Sequence, residues 1–174
     1  KIFRFNQFSD RFELVVDLQN ETEVNKIGLY VNTLFFDSTN TLWIGTTVGT
    51  FYSKVSGSEL VGLTIISDLT SQSFAESGSG HIWEGTEAGV NLLDDEDSIR
   101  NEVPEKNELS VATKQLRISA LFYDSQNNKL WIGSVNKGVS VYDFKEKTLI
   151  DLSKTTPHIP VRSIVKDTRN TVII

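Results

Sequence analysis

The two histidines are the first candidates for acid–base chemistry, because an ordinary imidazole titrates close to neutral pH. His81 lies beside a turn, and His158 lies in a connector bounded by Pro157 and Pro160. They could act as an acid–base pair only if the fold brought them together. No spacing of Ser or Asp predicts a catalytic triad, and the chain has no cysteine. We therefore interpret both histidines as surface residues and predict no catalytic residue in this segment.

Acidic residues suggest two other kinds of site. The run Asp94–Asp97 has enough carboxylates for Ca²⁺, but it lacks the glycine and the ligand alternation of a calcium loop. A solvated hairpin tip is the better interpretation, and we predict neither a metal nor a cofactor. Glu84 differs, because Ile44 and Ile132 occupy its position in other copies of the repeat described next. A carboxylate there could be partly buried and functional, or strand twist could expose it.

These residues belong to a repeated sequence, which must position them. Three copies run from Asp37 to Gly49, from Ser77 to Gly89 and from Asp124 to Gly138, and a fourth begins at Asp167. Self-similarity at this period is typical of solenoids, propellers and arrays. One position recurs at intervals of 40, 48 and 42 residues: Trp43, Trp83, Trp131 and Ile173.

Each copy predicts four short strands. A polar turn of Asp, Ser, Asn and Gly precedes Leu-Trp-Ile-Gly-Thr, whose aromatic and β-branched content favours a buried strand. Another strand comes before the turn, as at 118–123, and two more follow, as at 139–143 and 148–152. Four strands at this period describe one propeller blade. The third position of the first strand is small in every copy, as expected where copies crowd a common axis: Thr33, Ser73, Ala120 and Ser163.

The predicted fold class is all-β with essentially no helix, a partial arc of about four antiparallel four-stranded blades from a larger propeller. All segments belong to one propeller domain. Residues 104–114 are interpreted as a charged insertion that makes the second blade irregular. The predicted segments are the outer strands of a preceding blade (1–18), three blades (31–66, 71–115 and 117–152) and the inner strands of a following blade (161–174).

The repeated tryptophans could serve as platforms for stacking sugar rings. They occupy the same mid-strand position in every copy, however, which favours packing in the core. We predict that the repeat core consists of these tryptophans and the glycines that follow them: Trp43, Trp83, Trp131, Gly45, Gly85 and Gly133.

Composition excludes several partners. The formal net charge is −6 without a cluster of Lys or Arg, which disfavours nucleic acid and anionic membranes as partners. With 39% hydrophobic residues the chain can form a packed core, and no apolar run is long enough to span a membrane. The chain begins within a strand and without methionine, so we expect it to be an excerpt of a longer protein.

The pattern Asp-x-x-[Gly/Asn]-x-Leu-Trp-Ile-Gly-Thr-x-x-Gly, best matched by Asp37–Gly49 and Asp124–Gly138, resembles the two-component regulator propeller repeat. The resemblance covers essentially the whole chain. It implies a periplasmic sensor region of a hybrid two-component histidine kinase of the Bacteroidetes, whose kinase, receiver and DNA-binding parts lie outside this chain. Many such sensors respond to products of polysaccharide breakdown. Glu84, Ile173 and Thr50-Phe51 depart from the pattern, which weakens the expectation of regular geometry in the second and last blades.

Three functions stay open at this point. The segment could sense a small oligosaccharide, act as a scaffold for protein–protein contact without a small ligand, or be an enzyme resembling propeller lyases. An enzyme would need a convergent His or Tyr base, for which the sequence gives no indication. Besides Glu84, the candidate ligand contacts lie in loops between the second and third strands and vary between copies: Thr47, Glu87, Asn136 and Lys137.

An open arc would leave one apolar blade face bare at each end, which is rare in soluble monomers. The end segments could pair into a closed ring of four blades, two chains could pair, or further blades of a longer chain could cover both ends. Ile173 replaces tryptophan in the blade that would close the ring. We therefore expect an open arc that self-associates through its end faces when produced alone.

Overall fold

A computed structural model of the chain describes residues 1–21, 28–57, 59–93, 104–155 and 159–174. Strands far outnumber helices among these residues. The strands form five sheets, and within each sheet successive strands along the chain pair antiparallel. The prediction of an all-β partial propeller is confirmed.

The first blade is a regular four-stranded meander. In it the side chain of Trp43 lies opposite Phe35 on one neighbouring strand and opposite Tyr52 on the other. A two-stranded sheet and a short helix precede this blade: β1 (Ile2–Asn6), β2 (Arg11–Val16) and α1 (Leu18–Glu21). The blade itself comprises β3 (Val31–Phe36), β4 (Thr41–Thr46), β5 (Gly49–Ser56) and β6 (Glu59–Ser67).

The remaining strands form two further blades and a final hairpin. The second blade contains β7 (Ser71–Glu76), β8 (Ile82–Thr86) and β9 (Gly89–Leu93), followed by the helix α2 (Pro104–Thr113). The third contains β10 (Ile118–Asp124), β11 (Lys129–Ser134), β12 (Gly138–Asp143) and β13 (Thr148–Asp151). The hairpin consists of β14 (Val165–Lys166) and β15 (Val172–Ile173).

The expectation of essentially no helix is wrong for the charged insertion, where α2 packs against β9. Pro104 suits the first position of a helix, where its missing N–H has no intrahelical partner. Leu109 is fully buried against the second and third blades. The Thr113 hydroxyl accepts the backbone N–H of Val90 at 2.9 Å and donates to the Leu109 carbonyl at 2.7 Å. The helix therefore provides a hydrogen-bond acceptor for one backbone N–H group of β9.

The two ends of the arc do not share a sheet. β1 pairs only with β2, and β14 pairs only with β15, within the described ranges. The expectation of an open arc therefore holds for the hydrogen bonding, because a closed ring would join these hairpins into one blade. The β1–β2 hairpin packs on the first blade through Ile2, Val16 and their apolar neighbours.

The hydrophobic core consists of clusters at the junctions between blades. Trp43 is 3% exposed and packs on Phe74 of the second blade, and Trp83 is 1% exposed. Trp131 is only partly buried, because the hairpin β14–β15 covers less of it than a complete blade would.

The glycine after each Trp-Ile or Trp-Glu pair permits close approach of successive blades. A Cβ added at Gly45 would lie 2.9 Å from the Ser71 hydroxyl of the next blade. At Gly85 it would lie 2.6 Å from Ile118 Cγ2, and at Gly133 it would collide with Val161 of the following segment. No side chain larger than hydrogen fits at these three positions without displacing a neighbour.

Candidate functional site

Two residues in the loops predicted to contact a ligand form hydrogen bonds with segments that connect successive blades. Thr47 Oγ1 accepts the N–H of Tyr30 at 3.0 Å and donates to the carbonyl of Gly28. Asn136 performs the same task in the third blade, where its side chain bonds the backbone of Gln115 and Arg117 at 3.1 Å. Both side chains thus anchor the segment that leads into the first strand of their own blade.

Glu87, Asn136 and Lys137 of the predicted set are exposed, and Thr47 is half-buried. These four residues are spread over three blades, and none of the clefts described below is lined by any of them. Their role in ligand binding stays a prediction. His158 and the run Asp94–Asp97 lie outside the described residues.

The turns between the first and second strands lie at the opposite face and are built by the repeated aspartate. Asp37 Oδ1 accepts the backbone N–H groups of Thr39 and Thr41, each at 2.9 Å. Asp167 holds its own turn in the same way, at 2.9 and 2.8 Å. The last turn residue has a positive φ, as at Asn40 (64°), a conformation that Asn tolerates.

The second carboxylate oxygen of Asp37 connects the turn to the core. It accepts the indole N–H of Trp43 at 2.9 Å. Burial raises the pKa of Asp37, but the hydrogen bonds from Trp43, Thr41 and Thr39 outweigh burial and hold the pKa below its usual value.

The second and third copies lack this connection. Ser77 replaces the aspartate in the second copy, and its hydroxyl lies 2.9 Å from the Ser79 hydroxyl and 3.1 Å from the His81 amide. In the third copy Asp124 instead binds the Lys166 ammonium group at 2.7 Å. The buried indole nitrogens of Trp83 and Trp131 consequently have no acceptor among the described residues.

Two clefts open on this face, each between neighbouring blades. The first cleft, of about 430 Å³, carries the charged groups of Asp37 and Lys54 beside Tyr52. The second cleft, of about 560 Å³, is walled by Trp83, Tyr123 and Phe144. His81 lines both clefts. The other polar residues of the second cleft carry hydroxyl or amide groups: Ser77, Ser79, Ser125 and Asn128.

Glu84 is fully buried, so the alternative of an exposed side chain is wrong. Thr50 of the first blade donates a hydrogen bond from its hydroxyl to Glu84 Oε1. Burial raises the pKa of Glu84 against the opposing effect of hydrogen bonds, of which that from Thr50 is the largest. Glu84 borders a third cleft, of about 350 Å³, together with Ser67 and Asn91. Its carboxyl group therefore takes up a proton more readily than an exposed glutamate does.

The described residues show no cluster of three or more His, Asp or Glu side chains able to hold a metal ion. Neither helix of the described segments has the length and apolar character required to cross a membrane.

No sequence family matches the chain, and no curated protein matches it either. Solved structures do match. The extracellular domain of the proposed hybrid two-component system BT3049 from B. thetaiotaomicron is 17% identical with a TM-score of 0.51, over 98% of this chain and 29% of that one. The corresponding domain of BT4673 is 16% identical with a TM-score of 0.54, over 86% and 19% of the two chains.

One enzyme also matches this chain, with a similarly low sequence identity. Virginiamycin B lyase from Staphylococcus aureus is 15% identical with a TM-score of 0.62, over 87% of this chain and 50% of the lyase. The chain thus spans half or less of each of these structures. Identities this low establish the fold alone. The chain is therefore an arc of a β-propeller that shares its fold with extracellular domains of proposed two-component systems from B. thetaiotaomicron.

Proposed function

We propose that the chain is a ligand-sensing segment of a hybrid two-component signalling protein and works in the periplasm. The observation that carries the proposal is the match of 98% of the chain to the extracellular domain of BT3049. The repeated Trp-Ile-Gly motif supports the same assignment through its resemblance to two-component regulator propellers. The histidine kinase and transcription-regulating parts of such a protein would lie outside this chain.

The ligand we propose is an oligosaccharide released by polysaccharide breakdown. Support comes from the face that carries the turns, where hydroxyl and amide groups border half-buried aromatic rings. Binding sites for small molecules combine apolar walls with a few polar groups that fix orientation. The loops at the opposite face use Thr47 and Asn136 to hold backbone, which leaves fewer free polar groups there.

Thermal unfolding of the 174-residue chain with a panel of defined oligosaccharides tests this function. A cognate sugar at about one hundred times its Kd would stabilise the folded state by about 2.7 kcal/mol, because it binds only that state. Isothermal titration then gives the affinity. If no oligosaccharide shifts the transition, sugar sensing by this segment is wrong and the scaffold function takes its place.

A further inference from the structure

The second cleft differs from the first in its charge. The first cleft contains the carboxylate of Asp37 and the ammonium group of Lys54. Apart from His81, the described residues that line the second cleft carry no ionisable acid or amine near neutral pH. A neutral ligand would therefore meet no unpaired charge in the second cleft.

The second copy departs from the repeat where its turn borders this cleft. It has Ser77, Gly78 and Gly80 where the first copy has Asp37, Ser38 and Asn40. Ser77 and Gly78 line the second cleft, so these two changes remove a carboxylate and one further side chain from its wall. A Cβ added at Gly78 would lie 3.1 Å from the Tyr123 hydroxyl, so this turn leaves room that a larger residue would fill.

Groups on both walls keep hydrogen-bonding capacity. The Tyr123 hydroxyl donates to Asn128 Oδ1 at 2.7 Å, which leaves the hydroxyl lone pairs and the amide N–H groups of Asn128 for a ligand. The indole N–H of Trp83, which is 1% exposed, has no acceptor within the described ranges. In the first copy the equivalent indole donates to Asp37, a residue that lines the first cleft.

The apolar part of the wall is aromatic. Phe144 lies between the rings of Trp83 and Tyr123, with centroid distances of 5.6 and 5.9 Å. Tyr123 and Phe144 are half-buried, so part of each ring faces the cleft. A sugar ring presents apolar C–H groups on its faces and hydroxyls around its rim, which suits this combination.

We infer that the second cleft is a binding subsite for a neutral sugar ring, held between the turn of the second blade and Tyr123 and Asn128 of the third. The inference rests on the proposed sensing function. It adds where on the chain the ligand binds and that the ligand is uncharged. The cleft volume of about 560 Å³ falls within the range of about 300–1,000 Å³ common for ligand sites.

Isothermal titration with cellotetraose, xylotetraose and mannotetraose tests the inference, with a galacturonic acid trimer as the charged probe. Gly78→Val should weaken binding of a neutral sugar at least about tenfold, because the new side chain fills the cleft. Tyr123→Phe keeps the ring and should weaken binding less, by the loss of one hydrogen bond. Thr168→Val is the matched control, since exposed Thr168 occupies the position of Gly78 in the fourth copy.

The outcomes separate the two proposals. A neutral sugar that binds wild type and the Thr168 variant but not the folded Gly78 variant supports the subsite. Undiminished binding to the Gly78 variant overturns the subsite and leaves the sensing function intact. Binding of the charged trimer alone overturns the neutral class. Failure of every probe on wild type overturns both proposals. Thermal unfolding of each variant shows whether it is folded.

Discussion

Asp37 Oδ2 accepts the indole N–H of Trp43 at 2.9 Å, and this contact ties a surface turn to the core of the first blade. Trp83 occupies the same place in the second blade, but Ser77 is too short to provide the acceptor. A buried donor without a partner costs about 1–3 kcal/mol.

We predict that Ser77→Asp stabilises the chain by about 1 kcal/mol, and that Asp37→Ser destabilises it by about 1–3 kcal/mol. The new carboxylate would accept the Trp83 indole, whereas the second change removes that acceptor from Trp43. Urea unfolding of both variants beside wild type measures the two free energies. A Ser77→Asp variant less stable than wild type would show that Trp83 needs no acceptor.

The raised pKa of Glu84 makes stability depend on pH. The Glu84 carboxyl group binds its proton more tightly in the folded state than in the unfolded chain. Protonation of Glu84 therefore contributes fully to the free energy of unfolding below the ordinary glutamate pKa of 4.5. That contribution is lost as the pH rises from there through the raised pKa of the folded state. Glu84→Gln should remove this decline, because an amide does not titrate. Denaturant unfolding at a series of pH values from 4 upward measures this change in the free energy of unfolding. Glu87→Gln, at an exposed position, is the control and should behave as wild type.

The repeat glycines are required by space alone, because none of Gly45, Gly85 and Gly133 has a positive φ. Gly85→Ala should destabilise the chain by about 1–3 kcal/mol, since its Cβ would collide with Ser73 and Ile118. Gly78→Ala is the comparison, because the nearest atoms to its Cβ would all belong to Tyr123, at 3.1 Å or more. Equal effects of the two changes in urea unfolding would argue against tight packing between blades.

The ion pair between Lys166 and Asp124 joins the last hairpin to the third blade, and both side chains are largely buried, at 12% and 4% exposure. Lys166→Met should destabilise by about 3 kcal/mol, because it leaves a buried carboxylate unpaired. Lys145→Met removes an exposed partner of Glu146 and should cost less than about 1 kcal/mol.

The dependence of the free energy of unfolding on pH also tests the ion pair between Lys166 and Asp124. Burial raises the pKa of Asp124, but the hydrogen bond from Lys166 and other contacts outweigh it and lower the pKa. Its stabilising contribution is therefore present above the ordinary aspartate pKa of 3.8 and is lost as the pH falls through the lowered value. Lys166→Met should lose this acid dependence. An unchanged acid limb of the profile would contradict the assignment.

We propose that the segment self-associates through its end faces when produced alone. At one end, one face of β1–β2 exposes Phe3, Phe5, Phe12 and Leu14 by 53, 49, 73 and 53%. At the other end Val165 and Ile173 are each 52% exposed. Burial of such apolar area is favourable at about 25 cal/mol per Å².

Light scattering over a dilution series tests self-association. The mean mass should rise with concentration for wild type, whereas Phe5→Glu combined with Phe12→Lys should remain monomeric. Val111→Lys changes an exposed apolar residue away from the ends and should behave as wild type. A wild type that stays monomeric at every concentration would rule the proposal out.

The sequence by itself determined the blades. Three features depend only on contacts within one copy or between equivalent positions. They are the strand alternation, the Asp-x-x-Asn turn and the glycine two positions after each tryptophan. Repetition therefore made Trp43, Gly45 and the turn at Asp37 recognisable in the sequence. The departure of Glu84 from isoleucine was visible in the same way, since every other strand at that position is apolar.

Only the tertiary structure decided what fills the junctions. Glu84 is buried and accepts a hydrogen bond from Thr50, which belongs to another blade. The second cleft is lined by residues of two different copies, among them His81 and Tyr123. Thr47 and Asn136 were predicted to contact a ligand because they vary between copies. Their side chains form hydrogen bonds with the backbone of segments that connect the blades and that differ in sequence. The helix α2 packs on β9 because Leu109 enters the core and Thr113 accepts the N–H of Val90, a long-range contact that local sequence does not encode.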